Sequence, residues 1–131
     1  MTARGTGVRG FAKGKAFVIN DFSRRNPFEG IPAGSILVAP AITLSDSAMI
    51  DFRKVVGMVT FEPDTDGDVC LLARGMGIPA ITGVAEVSHR IVSGDRLLIR
   101  NLDVVINPDL ETVMEFEELR AAASPQLRLD F

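Results

Sequence analysis

Four carboxylates lie close together between two apolar stretches of the chain. They are Glu62, Asp64, Asp66 and Asp68, and we call residues 62–68 the acidic turn. Carboxylate oxygens are preferred ligands of Mg²⁺ and Ca²⁺, so one interpretation is a divalent-cation site on Asp64, Asp66 and Asp68. The other is that they shape the turn and cap the following helix, because negative charge is stabilised at a helix N-terminus. Capping is favoured, since ligand oxygens must converge on one point.

Other reactive side chains are few. The chain has one histidine, His89, and one cysteine, Cys70. Histidine-assisted serine or cysteine catalysis and a zinc site both need more such groups, so neither is expected. The apolar neighbours of Cys70 predict a buried thiol, and a single cysteine excludes an intramolecular disulfide.

The elements that position the acidic turn are a strand before it and a helix after it. The apolar run 55–60 predicts a strand covered on both faces, which is typical of a central parallel strand. Asp66 or Asp68 would cap the helix, and Gly75 or Gly77 would end it in a left-handed turn. Its predicted buried stripe comprises Val69, Leu72, Ala73 and Met76.

The rest of the chain alternates strands and helices. Strands are predicted over 14–20, 35–39, 78–82, 96–99 and 103–107, and helices from Thr43 or Ser45 to Phe52 and over 109–123. The helix ending at Phe52 would have one apolar face, and helix 109–123 would be amphipathic. The last two strands form an antiparallel pair, because too few residues join them for a crossover. The pattern predicts a compact α/β domain around a mixed sheet.

The motif after the acidic turn carries a family resemblance. Leu71-Leu72-Ala73-Arg74, followed by Gly-Ile-Pro-Ala-Ile-Thr-Gly over 77–83, resembles the swivelling phosphohistidine domain of phosphoenolpyruvate-utilising enzymes. It is most similar to enzyme I of the sugar phosphotransferase system. The order of elements over 34–119 fits that domain, and 10–20 fits more loosely. The resemblance implies a swivelling β/β/α phosphohistidine-domain-like fold with a mixed central sheet.

The carrier residue of that family is absent from the corresponding position. The family's motif runs Gly-Gly-x-Thr-Ser-His, where this chain has Pro63, Asp64, Thr65, Asp66, Gly67 and Asp68. Asp68 therefore stands at the phosphohistidine position, and the resemblance assigns no catalytic residue. The binding candidates that it implies are Thr65, Asp66, Gly67, Asp68 and Arg74. Arg74 matches the family's Ala-Arg pair, and the alternatives for it are a salt bridge, a favourable charge at a helix C-terminus or an anion contact.

The function implied is a stand-alone, non-phosphorylatable binding or regulatory module without catalytic activity of its own. A second hypothesis is a phosphotransfer component that works with separate subunits, using Asp68 as an acyl phosphate or His89. A third is an α/β protein that binds Mg²⁺, Ca²⁺ or a small ligand. The expected partner is a protein, such as a phosphoenolpyruvate-utilising enzyme or a carrier protein, and a homo-oligomer is left open.

One domain is expected over residues 1–123, with the loop 21–34 in place of the helical insertion of enzyme I and a flexible tail over 124–131. The net charge of -3 and the absence of Trp and Tyr argue against nucleic-acid binding. The basic N-terminal run is interpreted as a solvated segment or strand edge rather than an anion site; it comprises Arg4, Arg9, Lys13 and Lys15. No apolar run approaches the roughly 20 residues of a membrane span, and a cytoplasmic location is expected.

Overall fold

The computed structural model describes residues 1–23 and 25–123, which form eight strands and two α-helices. The strands are β1 Thr2–Arg4, β2 Thr6–Val8, β3 Phe11–Val18, β4 Ser35–Ala39, β5 Val55–Thr60, β6 Ala80–Thr82, β7 Arg96–Arg100 and β8 Asp103–Ile106. The helices are α1 Asp68–Met76 and α2 Leu110–Ala122. Neither is long and apolar enough to cross a membrane.

The strands form one mixed sheet that closes on itself. Their order is β1-β8-β7-β3-β4-β5-β6-β2, so β1 and β2 lie at opposite edges. Only Gly5 separates these two strands in sequence, and the edges must therefore meet. Gly5 donates its N–H to Leu102 O at 3.0 Å, and a Cβ added to it would lie 2.4 Å from Thr82 O. The sheet is thus rolled into a barrel with its seam at Gly5.

Apolar side chains from opposite sides of the sheet meet inside the barrel. A Cβ on Gly57 of β5 would lie 2.7 Å from Ile99 Cδ1 of β7, although β3 and β4 separate these two strands in the sheet order. Only glycine leaves room for Ile99 at this point. The interior cluster also contains Ala12, Ile36 and Val59.

The outer face of the barrel is covered in two places. Because side chains alternate along a strand, Leu37 and Met58 face outward, where they pack with Val69 and Ala73 of α1 and with Phe28 of the loop 21–34. A smaller outer cluster lies under α2 and comprises Leu98, Val105 and Phe116, with Phe11 and Val113 beside them. One part of the barrel surface is therefore covered by α1 and the loop 21–34, and another part is covered by α2.

The predicted core strands are confirmed. β4 and β5 have the predicted bounds, and β5 lies between β4 and β6, parallel to both. β7 and β8 form the predicted antiparallel hairpin, with Arg100 opposite Asp103. β3 begins three residues earlier than predicted, at Phe11. β1 and β2 were not predicted, because three-residue strands are too short to show an alternating pattern.

The predicted α-helix ending at Phe52 is wrong. This segment forms two 3₁₀ turns, Ser45–Met49 and Phe52–Lys54, without a buried residue in either. The predicted apolar face is also wrong, since Leu44, Ala48 and Met49 are exposed. Serine and aspartate side chains compete for backbone groups here: Ser47 Oγ donates to Leu44 O at 2.6 Å.

Both α-helices bury less apolar surface than predicted. In α1, Val69, Leu72 and Ala73 are buried, but Met76 is 49% exposed at the last helical residue. In α2, only Phe116 is buried, and apolar residues occur all around the helix, so the predicted amphipathic pattern is wrong. The predicted tail 124–131 lies outside the described residues.

Candidate functional site

The acidic turn lies at the carboxyl ends of two parallel strands. It connects β5 to α1, and beside it the segment 41–43 leaves the end of β4. The two segments enclose a polar cleft of about 170 Å³, which we call the acidic cleft. Glu62, Asp64, Asp66 and Asp68 all line it, and Thr60 forms part of its wall. Ligand sites of open α/β sheets favour this end of parallel strands.

Asp64 caps α1. Its Oδ1 accepts the N–H of Val69 at 3.0 Å and its Oδ2 accepts the N–H of Cys70 at 3.1 Å. Gly67 precedes the helix in the left-handed conformation, with φ of 75°, and supplies no side-chain cap. The prediction that Asp66 or Asp68 caps the helix is therefore wrong. The left-handed residue reverses the chain so that Asp64, two positions before Asp66, reaches the free N–H groups of the first turn.

Asp68 links the acidic turn to the neighbouring segment. Its Oδ2 accepts the N–H of Leu44 at 3.0 Å. Nearby, Asp46 Oδ2 accepts the N–H of Thr43 at 2.8 Å, and Thr43 Oγ1 accepts the N–H of Asp46 at 3.3 Å. Asp68, which the resemblance places at the phosphohistidine position, thus joins two loops through a hydrogen bond.

The other binding candidates are open to solvent. Thr65 and Asp66 are exposed on the acidic turn, and Arg74 is exposed in the last turn of α1. The helix ends at Gly77, as predicted, in a left-handed conformation that brings its N–H to the carbonyls of Ala73 and Arg74. Within residues 1–23 and 25–123, no group of three or more His, Cys, Asp or Glu side chains is placed to hold a metal ion. The divalent-cation site on Asp64, Asp66 and Asp68 therefore stays a prediction.

Cys70 lies on the first turn of α1 beside the cap. Partial burial of the thiol and a hydrogen bond with Asp64 raise the pKa of Cys70 above its ordinary value. The thiolate is the reactive form, so this thiol is held in its unreactive state at neutral pH.

His89 lies at the same end of the barrel as the acidic turn. It is exposed and lines a groove of about 590 Å³ with Pro40 and Phe61, which follow β4 and β5. Glu62 lines this groove and the acidic cleft as well. In sequence, α1 and β6 separate His89 from the acidic turn, whereas the barrel places His89 in a groove that Glu62 of that turn also lines.

A third and larger concavity lies on the outer face of the barrel and was not predicted. It measures about 830 Å³, and its wall is mostly apolar. It lies between the loop 21–34 and α2, and its lining includes Phe17 and Leu98 from the sheet, Pro32 from the loop and Val113 from α2. Lys13, Lys15 and Arg96 also line it, and we call it the cationic groove. Its residues come from four separate segments, so no local motif could have indicated it.

The cations of this groove differ in their partners. Lys13 is paired with Glu117 of α2. Lys15 lies directly opposite Arg96 on the paired strands β3 and β7, and neither side chain makes an ion pair with any residue of the described chain. Like charges directly opposite each other on a sheet are destabilising.

The chain is similar to known proteins over most of its length. The family described as "PEP-utilising enzyme, mobile domain" matches residues 31–101. A phosphoenolpyruvate-protein phosphotransferase of Haloferax volcanii is 31% identical over 85% of this chain, which spans 19% of that protein's length.

Two solved structures have the same fold at lower identity. An enzyme I structure determined by NMR matches 72% of this chain and 39% of its own, with a TM-score of 0.65 and 24% identity. Thermococcus kodakaraensis aconitase X matches 81% of this chain and 98% of its own, with a TM-score of 0.60 and 22% identity. The predicted fold class is thereby confirmed. On the family match and the Haloferax relative, this chain belongs to the family of PEP-utilising enzyme mobile domains.

Proposed function

We propose that this chain is a mobile-domain relative that binds a protein partner and carries no phosphoryl group at the family's carrier position. The observation that carries the proposal is the acidic cleft. At the point where the family motif has histidine, the chain has Asp68, and the N–H groups of the following helix turn are bonded to Asp64.

The charge of the cleft argues against a phosphoryl group. A helix N-terminus binds anions through N–H groups that have no other partner. Here the N–H groups of Val69 and Cys70 already donate to a carboxylate. Of the described residues that line the cleft, four are acidic and none is Lys or Arg. An incoming phosphoryl group would meet carboxylates without a compensating cation.

The similarity to known proteins supports a role alongside other domains or subunits. The chain spans only about a fifth of the Haloferax phosphotransferase, so the remaining activities of such a protein reside in sequence that this chain does not match. The match covers 98% of the aconitase X chain. The same fold therefore also occurs as a separate chain. We infer that the partner is a phosphoenolpyruvate-utilising enzyme or a carrier protein that works with one.

A phosphorylation assay tests the proposal. The chain is incubated with labelled phosphoenolpyruvate, enzyme I and its small carrier protein, and neither acid-labile nor hydroxylamine-labile label is expected on it. Stoichiometric label that disappears in Asp68→Asn would refute the proposal in favour of acyl-phosphate chemistry. A matched control is a version with the family motif restored by Pro63→Gly, Asp64→Gly, Asp66→Thr, Gly67→Ser and Asp68→His, which shows whether the donor system can reach this position.

His89 provides the second candidate function, a phosphotransfer component. It is favoured by one observation, the position of His89 in a groove shared with Glu62 at the same barrel end. A neutral imidazole nitrogen is a nucleophile without the negative charge by which a carboxylate repels an incoming phosphoryl group. Acid-labile label that survives Asp68→Asn and disappears in His89→Ala would identify this function.

A further inference from the structure

The cationic groove has charges that the rest of the described chain leaves unpaired. Lys15 and Arg96 face each other across β3 and β7, over a floor that includes Phe17 and Leu98. Their mutual repulsion costs stability, which a bound anionic group would recover. The apolar floor would bury further surface on binding. A ligand that combines apolar and acidic groups would therefore fit the groove.

Helix α2, which borders this groove, has apolar and acidic side chains on its exposed side. Leu110 is 74% exposed and Met114 is 60% exposed, four residues apart and thus on one face of α2. Val113 is three residues after Leu110 and so lies beside it on the helix surface, and it lines the groove itself. The groove and the Leu110–Met114 stripe are therefore parts of one apolar surface.

Acidic residues accompany the stripe. Glu111, Glu115 and Glu118 are exposed on α2, and none makes an ion pair within residues 1–23 and 25–123. The helix thus offers free carboxylates beside exposed apolar side chains, whereas the groove offers free cations beside an apolar floor. The two halves of this surface are complementary in charge.

We propose that the occupant of the cationic groove is α2 of a second copy of this chain. A surface that contains a groove and the helix that fits it can pair with itself about a two-fold axis, so that each copy supplies both halves. Each dimer would then contain two groove–helix contacts, with acidic residues of α2 facing Lys15 and Arg96 of the other copy. Burial of Leu110 and Met114 supplies the apolar part of the contact.

Sedimentation velocity over a wide range of protein concentration tests the proposal on the full chain. A concentration-dependent dimer is expected for the natural sequence. Met114→Glu should weaken the dimer by about tenfold or more, because it introduces a charge into the buried stripe. Leu71→Glu is the matched control, since Leu71 is 59% exposed on α1, away from this surface, and it should leave the dimer unchanged.

Charge reversal distinguishes pairing from a general loss of structure. Lys15→Glu combined with Arg96→Glu should weaken the dimer, and adding Glu111→Lys and Glu115→Lys should restore it. Circular dichroism shows whether each variant is folded. A chain that is monomeric at all concentrations overturns the proposal, as does a dimer that responds equally to Met114→Glu and Leu71→Glu. If the full chain is monomeric and a version ending at Ala123 dimerises, residues 124–131 cover the surface instead, and the proposal fails.

Discussion

The acidic cleft and the cationic groove both collect charges of one sign, but they manage these charges in opposite ways. In the cleft, the carboxylates of Asp64 and Asp68 accept backbone N–H groups of the same chain. In the groove, Lys15 and Arg96 have no such partner in the described structure and lie over apolar side chains.

The carboxylates of the cleft stabilise the fold, whereas the unpaired cations of the groove are available for binding. A carboxylate that caps a helix lowers the free energy of the folded chain, so its presence needs no ligand to explain it. Two cations placed opposite each other raise the free energy of the folded chain, and an anionic partner would lower it again. Asp64 and Asp68 of the acidic cleft are therefore used in holding the fold together. The cationic groove is the better candidate for a docking surface.

The largest effect is expected at the cap of α1. Asp64→Ala leaves the N–H groups of Val69 and Cys70 without their acceptor, and we expect a loss of about 1–2 kcal/mol in the free energy of unfolding. Urea unfolding measures it. Asp66→Ala is the matched control, because Asp66 is exposed on the same turn and should change stability by less than about 0.5 kcal/mol. Equal effects of the two substitutions would contradict the capping role of Asp64.

A smaller effect of opposite sign is expected in the groove. Lys15→Glu replaces a like-charge pair with an opposite-charge pair across β3 and β7, and we expect a gain of about 0.2–1 kcal/mol. The measurement is urea unfolding at a protein concentration low enough to keep the chain monomeric. Lys13→Glu serves for comparison, since it should destabilise the chain by placing a carboxylate beside Glu117. A loss of stability in Lys15→Glu would mean that Lys15 is already paired.

The ion pair between Lys13 and Glu117 predicts that the stability of the fold depends on pH. The Lys13 ammonium lowers the pKa of Glu117 below its ordinary value of 4.5, mainly through their hydrogen bond. Because the folded-state pKa is the lower one, ionised Glu117 stabilises the fold above 4.5, and this contribution is lost as the pH falls through the folded-state value. We therefore expect Glu117→Gln to be less stable than the natural chain at neutral pH. In thermal unfolding well below pH 4.5 the two should coincide; a difference that persists there would point to a role of Glu117 beyond its charge.

The smallest effect is expected from divalent cations on the acidic cleft. Asp64 and Asp68 are bonded to backbone N–H groups, so Mg²⁺ or Ca²⁺ should change the melting temperature no more than NaCl at matched ionic strength. A saturable increase that Asp66→Asn abolishes would show that the carboxylates do converge on a cation, and would favour the third hypothesis.

The sequence by itself determined the parallel core and the position of α1. β4 and β5 are short, mostly apolar runs, β4 between Gly34 and Pro40 and β5 after Lys54, and such runs have few alternatives to a buried strand. Gly75 or Gly77 was predicted to end α1, because glycine readily adopts the left-handed conformation of a helix end, and the helix ends at Gly77. The family resemblance rested on the same stretches. The expected cytoplasmic location and protein partner stay predictions.

The spacing of apolar and acidic residues gave wrong predictions at two places. The spacing around Leu44 and Met49 suggested an α-helix, but side-chain hydrogen bonds of Thr43, Asp46 and Ser47 stabilise a 3₁₀ turn instead. The choice among Asp64, Asp66 and Asp68 as the cap depended on the left-handed turn at Gly67, which the order of residues alone does not reveal.

Only the tertiary structure decided the closure of the sheet and the location of the acidic cleft and the cationic groove. β1 and β2 are too short to be recognised in sequence, yet they join the two edges of the barrel, because Gly5 lets the chain pass between Leu102 and Thr82. That closure fixes which strands are neighbours, and hence that Lys15 faces Arg96. Charges that are far apart along the chain become a site only when the strand register brings them together, and register depends on packing across the whole sheet.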